Sequence, residues 1–187
     1  MTSWNVVRLG DIAATPWRNG GGTTRELAVW PSAEDWTWRM SVAEVEQNGP
    51  FSVFNGVDRW FAVLEGAGVQ LDVAGRRCVL RPADEPFFFD GAAAVDCQLL
   101  AGKTEDFNLM VQRSSAKSRM QRVKGHFEAQ VDATKFIAIY NRNNWANTLF
   151  GSENMNLPPS SLAWRQVHIQ TPIALTAEDA LWMEISL

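Results

Sequence analysis

Arg59 stands among aromatic residues at the end of one unusual stretch. Asn48-Gly49-Pro50-Phe51-Ser52-Val53-Phe54-Asn55-Gly56-Val57-Asp58-Arg59 leads directly into Trp60-Phe61-Ala62-Val63-Leu64-Glu65-Gly66. A guanidinium beside Phe51, Phe54, Trp60 and Phe61 must find an anion or reach water, because an unpaired charge among apolar groups is costly. Its planar fork of donors matches a carboxylate through two parallel hydrogen bonds. The chemistry this suggests is recognition of an anion; the structural alternative is an internal pair with Asp58, Glu65 or Asp90 that holds the barrel closed. Pro16-Trp17-Arg18-Asn19-Gly20-Gly21-Gly22-Thr23-Thr24-Arg25-Glu26 is the second unusual stretch. Successive glycines can turn backbone N–H groups toward an anion, or they can serve as a tight entry into a strand over residues 23–30. The nucleotide-loop pattern that ends in Gly-Lys-Ser/Thr is missing.

Other chemistries lack their residues. The chain holds two histidines, His126 and His168, 42 positions apart, and no cysteine pair at zinc spacing, so neither a three-imidazole site nor a thiolate site is expected. His168 alternates with Val167 and Ile169 and reads as a structural residue of a strand. His126 follows Gly125 and reads as an exposed turn residue. Gly-x-Ser-x-Gly is absent, and no serine or cysteine comes with a His and an Asp in a telling arrangement. Glu26, Glu44, Glu65 and Asp90 are isolated carboxylates. No catalytic residue, metal or cofactor is therefore expected. Most of the nine Trp residues should fill the core rather than form stacking platforms.

The elements that must carry Arg59 are strands. Trp38, Met40 and Val42 alternate with Arg39, Ser41 and Ala43, a period of two. Asn48-Gly49-Pro50 reads as a turn with a positive φ followed by a fixed one, and Asn55-Gly56 as a second turn. The run after Arg59 is a buried strand. Residues 69–73 and 76–80 form a hairpin around Ala74-Gly75, and residues 87–91, 94–100 and 107–113 supply further strands. Residues 112–125 are polar and basic, and read as a solvated linker with an edge strand protected by charge. Short strands separated by turn signals point to an all-β sandwich or barrel. Weak internal similarity adds a repeat: residues 59–64 resemble 135–140, Leu80-Arg81-Pro82 resembles Leu157-Pro158-Pro159, and Glu105-Asp106 with Met110 resembles Glu178-Asp179 with Met183. The expected division is two related β-barrels, residues 1–112 and 113–187, with Arg59 and Lys135 at equivalent positions.

Composition narrows the setting. At 187 residues with a net charge of −4, the chain lacks the concentrated positive face that nucleic acid requires. No apolar run reaches membrane-spanning length, and the first residues lack a signal-peptide h-region. Cys78 and Cys97 read as buried thiols of a reducing compartment, with a disulfide between neighbouring strands as the alternative. A cytoplasmic protein is expected, with no nucleic-acid or membrane partner, and a homodimer stays open.

Together these residues resemble the HutD/Ves family of bacterial proteins with a two-domain cupin fold. The resemblance rests on Pro16-Trp17-Arg18-Asn19-Gly20-Gly21-Gly22-Thr23, on Trp38-Arg39-Met40-Ser41 with Ala43, and on Gly49-Pro50-Phe51-Ser52 with Phe54, Gly56 and Asp58-Arg59. Leu64-Glu65-Gly66, Phe89-Asp90-Gly91 and Asp106-Phe107-Asn108-Leu109-Met110 add to it, whereas residues after Arg113 match loosely. The resemblance implies a metal-free bicupin of two RmlC-like jelly-roll barrels in tandem. It implies a regulator of flux through histidine utilisation that binds a small acidic intermediate, urocanate or formylglutamate, with Arg59 as the anchoring arginine. Arg39 and Ser41 share one strand face and Asn108 lies on another strand able to face inward. With Arg59, Asn19, Phe51, Ser52 and Phe89 they form the expected ligand-binding set. Two other readings remain: a metal-independent enzyme acting on a carboxylated or sugar substrate, and a protein-interaction module with a vestigial pocket.

Overall fold

The structure, a computed structural model, describes residues 3–168 and 170–187. Its strands in chain order are β1 (Asn5–Arg8), β2 (Thr15–Pro16), β3 (Gly22–Pro31), β4 (Trp36–Val45), β5 (Gly49–Pro50), β6 (Val57–Glu65), β7 (Val69–Val73), β8 (Arg76–Leu80), β9 (Phe87–Asp90), β10 (Val95–Leu99) and β11 (Thr104–Gln112). They continue with β12 (Lys117–Gln130), β13 (Lys135–Asn141), β14 (Ala146–Phe150), β15 (Glu153–Leu157), β16 (Ser161–Val167) and β17 (Pro172–Ser186). One 3-10 turn at Leu9–Asp11 is the sole helical element among the described residues. None of these residues forms a helix long and apolar enough to cross a membrane.

The chain divides into two compact units, Ile12–Ala116 and a second that joins the residues through Asp11 to Lys117–Leu187. In the Ile12–Ala116 unit, a six-stranded antiparallel sheet in the order β2-β3-β4-β11-β6-β9 packs on a four-stranded sheet in the order β5-β10-β7-β8. Alternation drives the packing: Val45, Phe61, Val63 and Phe89 from the first sheet meet Val69, Leu71, Val95 and Cys97 from the second. The β7–β8 hairpin turns on Ala74 and Gly75, at φ 49° and 85°, the left-handed pair of a type I′ turn whose twist suits the strands. Cys78 and Cys97 both stand opposite Leu71, on the two strands flanking β7. That separation leaves both thiols free, and burial pushes the Cys97 thiol up to about 12.

In the other unit, one sheet runs β1-β16-β13-β17-β14-β15, with β12 paired along β17. β17 is long enough to pair with β13 through its C-terminal half and with β14 through its N-terminal half. β12 follows it across a bulge between Val123 and Gly125, where Gly125 takes φ 82°. Ile137, Ile139, Ala163, Leu175 and Trp182 are buried in the core of this unit.

A strand order recurs. β4-β11-β6-β9 in the first sheet has the same pattern as β12-β17-β13-β16 in the other unit; Arg59 is the third residue of β6 and Lys135 the first of β13. The hairpins β7–β8 and β14–β15 share five-residue arms, and end on Leu80 and Leu157. The third sequence match fails in register. Asp106 stands opposite Val63, and the residue opposite Ile139, the counterpart of Val63, is Trp182 rather than Asp179.

Other expectations are corrected. β1 pairs with β16, from Asn5↔Trp164 to Arg8↔Ser161, so the first residues belong with the C-terminal unit, and the later boundary follows Ala116. Gly49 and Pro50 form a short strand beside β10, and Gly49 is not among the glycines with positive φ. The basic segment 112–125 is less solvated than its charges suggest: Met120, Arg122 and Val123 are buried, and Arg122 donates to Asp179 at 2.6 Å. His126 lies within β12 rather than in a turn, exposed, with Nδ1 at 3.1 Å from Thr176 and Nε2 at 3.1 Å from Glu128. His168 follows β16 and is exposed rather than a strand residue. Its expected neighbour Ile169 lies outside the described residues.

Candidate functional site

The inner face of β4, β11 and β6 is built in register rows. Arg39 stands opposite Met110, and Met110 opposite Arg59. One row deeper are Ser41, Asn108 and Phe61, and below them Ala43, Asp106 and Val63. Because side chains alternate along a strand, each row presents its residues to the same side. The upper two rows form one wall of a cavity of about 470 Å³ that lies wholly within the Ile12–Ala116 unit.

Two connections complete the walls. In the β2–β3 connection, Trp17 N donates to Gly22 O, and Trp17 Nε1 donates to Thr24 Oγ1 at 2.7 Å. A Cβ on Gly22 would lie 2.2 Å from Glu44 O and 3.3 Å from the Trp17 ring, so this close approach requires glycine. The Gly21 N–H donates to Asn19 Oδ1 at 3.0 Å and the Gly20 N–H to Trp17 O. With those donors engaged, the triple glycine is a tight strand entry rather than an anion nest. The segment between β5 and β6 carries Phe51, Ser52 and Phe54, and is held by Phe54 N donating to Gly91 O at 2.7 Å and Gly91 N to Val57 O at 2.7 Å. Gly91 is needed there too: a Cβ would lie 2.7 Å from the Val57 carbonyl oxygen and 2.8 Å from that of Phe54.

Arg59 is 6% exposed. Nη2 donates to Asn108 Oδ1 at 3.1 Å and Nη1 to the Ser52 carbonyl at 3.4 Å, while Nε has no partner. The guanidinium carbon lies 4.9 Å from the Phe89 ring centroid, 5.4 Å from Phe51 and 5.7 Å from Phe54. Among the described residues it forms no ion pair. The carboxylates that could have neutralised it are engaged elsewhere, since Arg113 binds Asp58 at 2.7 Å and Asp90 at 2.8 Å. Burial, with a smaller contribution from Arg39, lowers the Arg59 pKa to about 10. The group stays a cation at neutral pH, held without a counterion.

Arg39 is the second cation on this wall. It meets Glu26 only at 3.9 Å, its Nε points at the Met110 sulfur at 3.3 Å, and its guanidinium lies over Trp36 and Phe54. Burial lowers its pKa, and Glu26 offsets part of that. Arg18 adds a third cation to the lining. Among the described residues the lining contains no Asp, Glu, His or Cys, and no three of those residue types come together as a metal-ligand group.

The cations of the C-terminal unit differ. Arg165, 4% exposed, lies over Phe150 and Trp4 much as Arg59 lies over its rings, but donates to Glu153 at 2.8 Å. Lys135, at the start of β13, meets Asp132 at 2.7 Å and Glu184 at 2.9 Å. Arg59 alone of these three has no carboxylate partner.

Of the residues singled out in the sequence, Arg59, Asn19, Arg39, Ser41, Phe51, Ser52 and Asn108 line the cavity. Phe89 does not: it is buried beneath the Arg59 guanidinium, opposite Arg59 on β9. Ser52 meets Arg59 through its carbonyl rather than its hydroxyl. Thr24, Met110 and the Trp17–Arg18 pair were missed as lining residues. Alternation from Asn108 would have found Met110, whereas Thr24 depends on the β3–β4 register.

The arrangement offers donors. The Asn108 carbonyl oxygen is taken by Arg59, which turns its amide nitrogen into a free donor, and Ser41 supplies a hydroxyl. A ligand rich in acceptors and carrying negative charge complements such a wall, and the surrounding rings strengthen every charged contact by lowering the local dielectric.

The HutD family model matches residues 10–184. Protein Ves of Cronobacter sakazakii is 33% identical over 175 residues, covering 91% of this chain and 92% of that protein. The "uncharacterized 21.2 kDa protein in hutC 3'region" of Pseudomonas putida is 37% identical over 124 residues, 65% of each chain. The solved structure of HutD from Pseudomonas fluorescens SBW25, described as the formate condition, superposes with a TM-score of 0.87 at 28% identity over 98% of both chains. Likeness of fold extends to Bacillus subtilis oxalate decarboxylase, with a TM-score of 0.64 at 9% identity over 99% of this chain and 78% of that one. The fold is cupin-like.

Proposed function

The chain belongs to the HutD family, and on that premise we propose that it is a non-catalytic, metal-free binding protein for a small carboxylate. What carries this reading is Arg59, a buried cation facing a cavity that contains three arginines and no acid, in a chain whose net charge is negative. A cation largely buried without a counterion is held at a cost that a bound anion offsets. A bidentate carboxylate would take the free side of the Arg59 fork, with Asn108 and Ser41 donating to remaining acceptors and Phe51 and Phe54 covering a planar body. Urocanate offers a planar body with one carboxylate and formylglutamate a flexible chain with two, and each presents a carboxylate to Arg59. The hut gene named for the Pseudomonas putida relative makes regulation of histidine utilisation the favoured role. The recurring strand order and the matched hairpins support two cupin barrels in tandem, the second with its cations internally neutralised. The free cysteines and the acidic balance suit a cytoplasmic protein with a small anionic metabolite as its partner.

A thermal-shift screen tests the reading. Small carboxylates should raise the melting temperature, because a ligand at 100 times its dissociation constant adds about 2.7 kcal/mol, whereas the matching primary amides should not. A panel including urocanate and formylglutamate in which no carboxylate stabilises the protein would overturn it.

A further inference from the structure

We infer that the cavity selects ligands with two anionic groups, Arg59 receiving one and Arg39 the other. This deepens the carboxylate reading and rests on it. Arg39 and Arg59 flank Met110 in a single row across β4, β11 and β6, which sets their Cα atoms roughly 10 Å apart at ordinary strand spacing. Their guanidinium carbons lie 5.2 Å and 5.7 Å from the same Phe54 ring centroid, so each head is close to one ring and both belong to the same lining.

Arg39 is poorly satisfied where it stands. A thioether is a weak acceptor for its Nε, and Glu26, 43% exposed, reaches it only at the limit of an ion pair. Its side chain keeps 28% exposure, enough to meet a ligand. Two cations on one wall raise each other's cost, and the Arg39 charge adds to the lowering of the Arg59 pKa. One anion bound at Arg59 would leave Arg39 with only the Met110 sulfur and a distant Glu26 as partners. A second anionic group on the same ligand relieves both, so the wall discriminates between diacids and monoacids. Glu26 then acts as a competitor for Arg39.

Titration calorimetry with succinate, glutarate and adipate, each beside the monocarboxylate of equal chain length, tests this. In the unsubstituted protein at least one diacid should bind about tenfold or more tighter than its monoacid, the effect of one added charge-assisted contact. Arg39→Gln should bring that ratio close to one, and Glu26→Gln, which frees Arg39 without touching its packing, should raise it. An equal affinity for both classes, or a ratio unmoved by both substitutions, would overturn the two-anion inference while leaving Arg59 as a carboxylate site. Failure of every acid to bind would overturn both.

Discussion

Replacing Arg59 by Met should leave the apo protein as stable as before or more so. Burial, with a smaller contribution from Arg39, lowers the guanidinium pKa to about 10 in the folded state, which corresponds to destabilisation on the order of 3 kcal/mol from holding the charge. Its sign is set by the depressed value: the charged form is disfavoured in the folded state, so the cost is complete at every pH well below 10 and is present at neutral pH. Opposing it are the Asn108 hydrogen bond, worth about 1.5 kcal/mol with a charged donor, and contacts with three rings, worth about 1 kcal/mol together at a partly wet site. Methionine fills a similar volume beside Phe51, Phe54 and Phe89, the rings that the guanidinium now meets. The net expectation is a gain of about 0–1.5 kcal/mol, or a melting temperature higher by about 0–5 °C. Urea unfolding at pH 7 measures it. Asp179→Ala is the contrast within the same assay: its carboxylate holds Arg122 at 2.6 Å and Arg142 at 2.9 Å, and removing one partner of a buried ionic cluster costs about 3–5 kcal/mol. A loss above about 2 kcal/mol in Arg59→Met would mean that Arg59 is a strut, and the reasoning from its missing counterion would be refuted.

Gly22→Ala should cost about 1–3 kcal/mol, because its Cβ meets the Glu44 carbonyl and the Trp17 ring; denaturant midpoints report it. Asp106, fully buried with Oδ1 unpartnered and one bond from Thr104, has its pKa pushed up to about 7 by burial. Between the unfolded value near 4 and that folded value, the native state keeps a proton that the unfolded chain has lost, so stability falls as pH rises through this window and levels off above it. The fall attributable to Asp106 is on the order of 1–4 kcal/mol, and Asp106→Asn should remove it in unfolding measured at pH 4.5 and pH 8.

Alternation made the strands legible: Trp38 to Ala43 and the Ala74-Gly75 hairpin read directly from the sequence and appear where expected. So did Arg59, because a lone cation among Phe51, Phe54 and Phe61 is a local anomaly. What stayed hidden depends on partners distant in the chain. Asn5 to Arg8 look like any short strand, and nothing in them names β16. The Arg39–Met110–Arg59 row exists only once β4, β11 and β6 are in register. Arg122 resembles its solvated neighbours until Asp179 is brought beneath it. The repeat was visible where residue types had to be kept, in the strand after Arg59 and the hairpin ending on Leu80, and misleading at Glu178-Asp179, where acids serve different ends.

Carboxylate binding at Arg59 is tested most directly by calorimetric affinity for one stabilising carboxylate in the unsubstituted protein, Arg59→Ala and Arg59→Lys. The predicted result is a loss of about 2–4 kcal/mol in Arg59→Ala, on the order of 30- to 1000-fold, with Arg59→Lys recovering only part, since an ammonium keeps the charge and loses the fork. Affinity unchanged in a folded Arg59→Ala protein would contradict it.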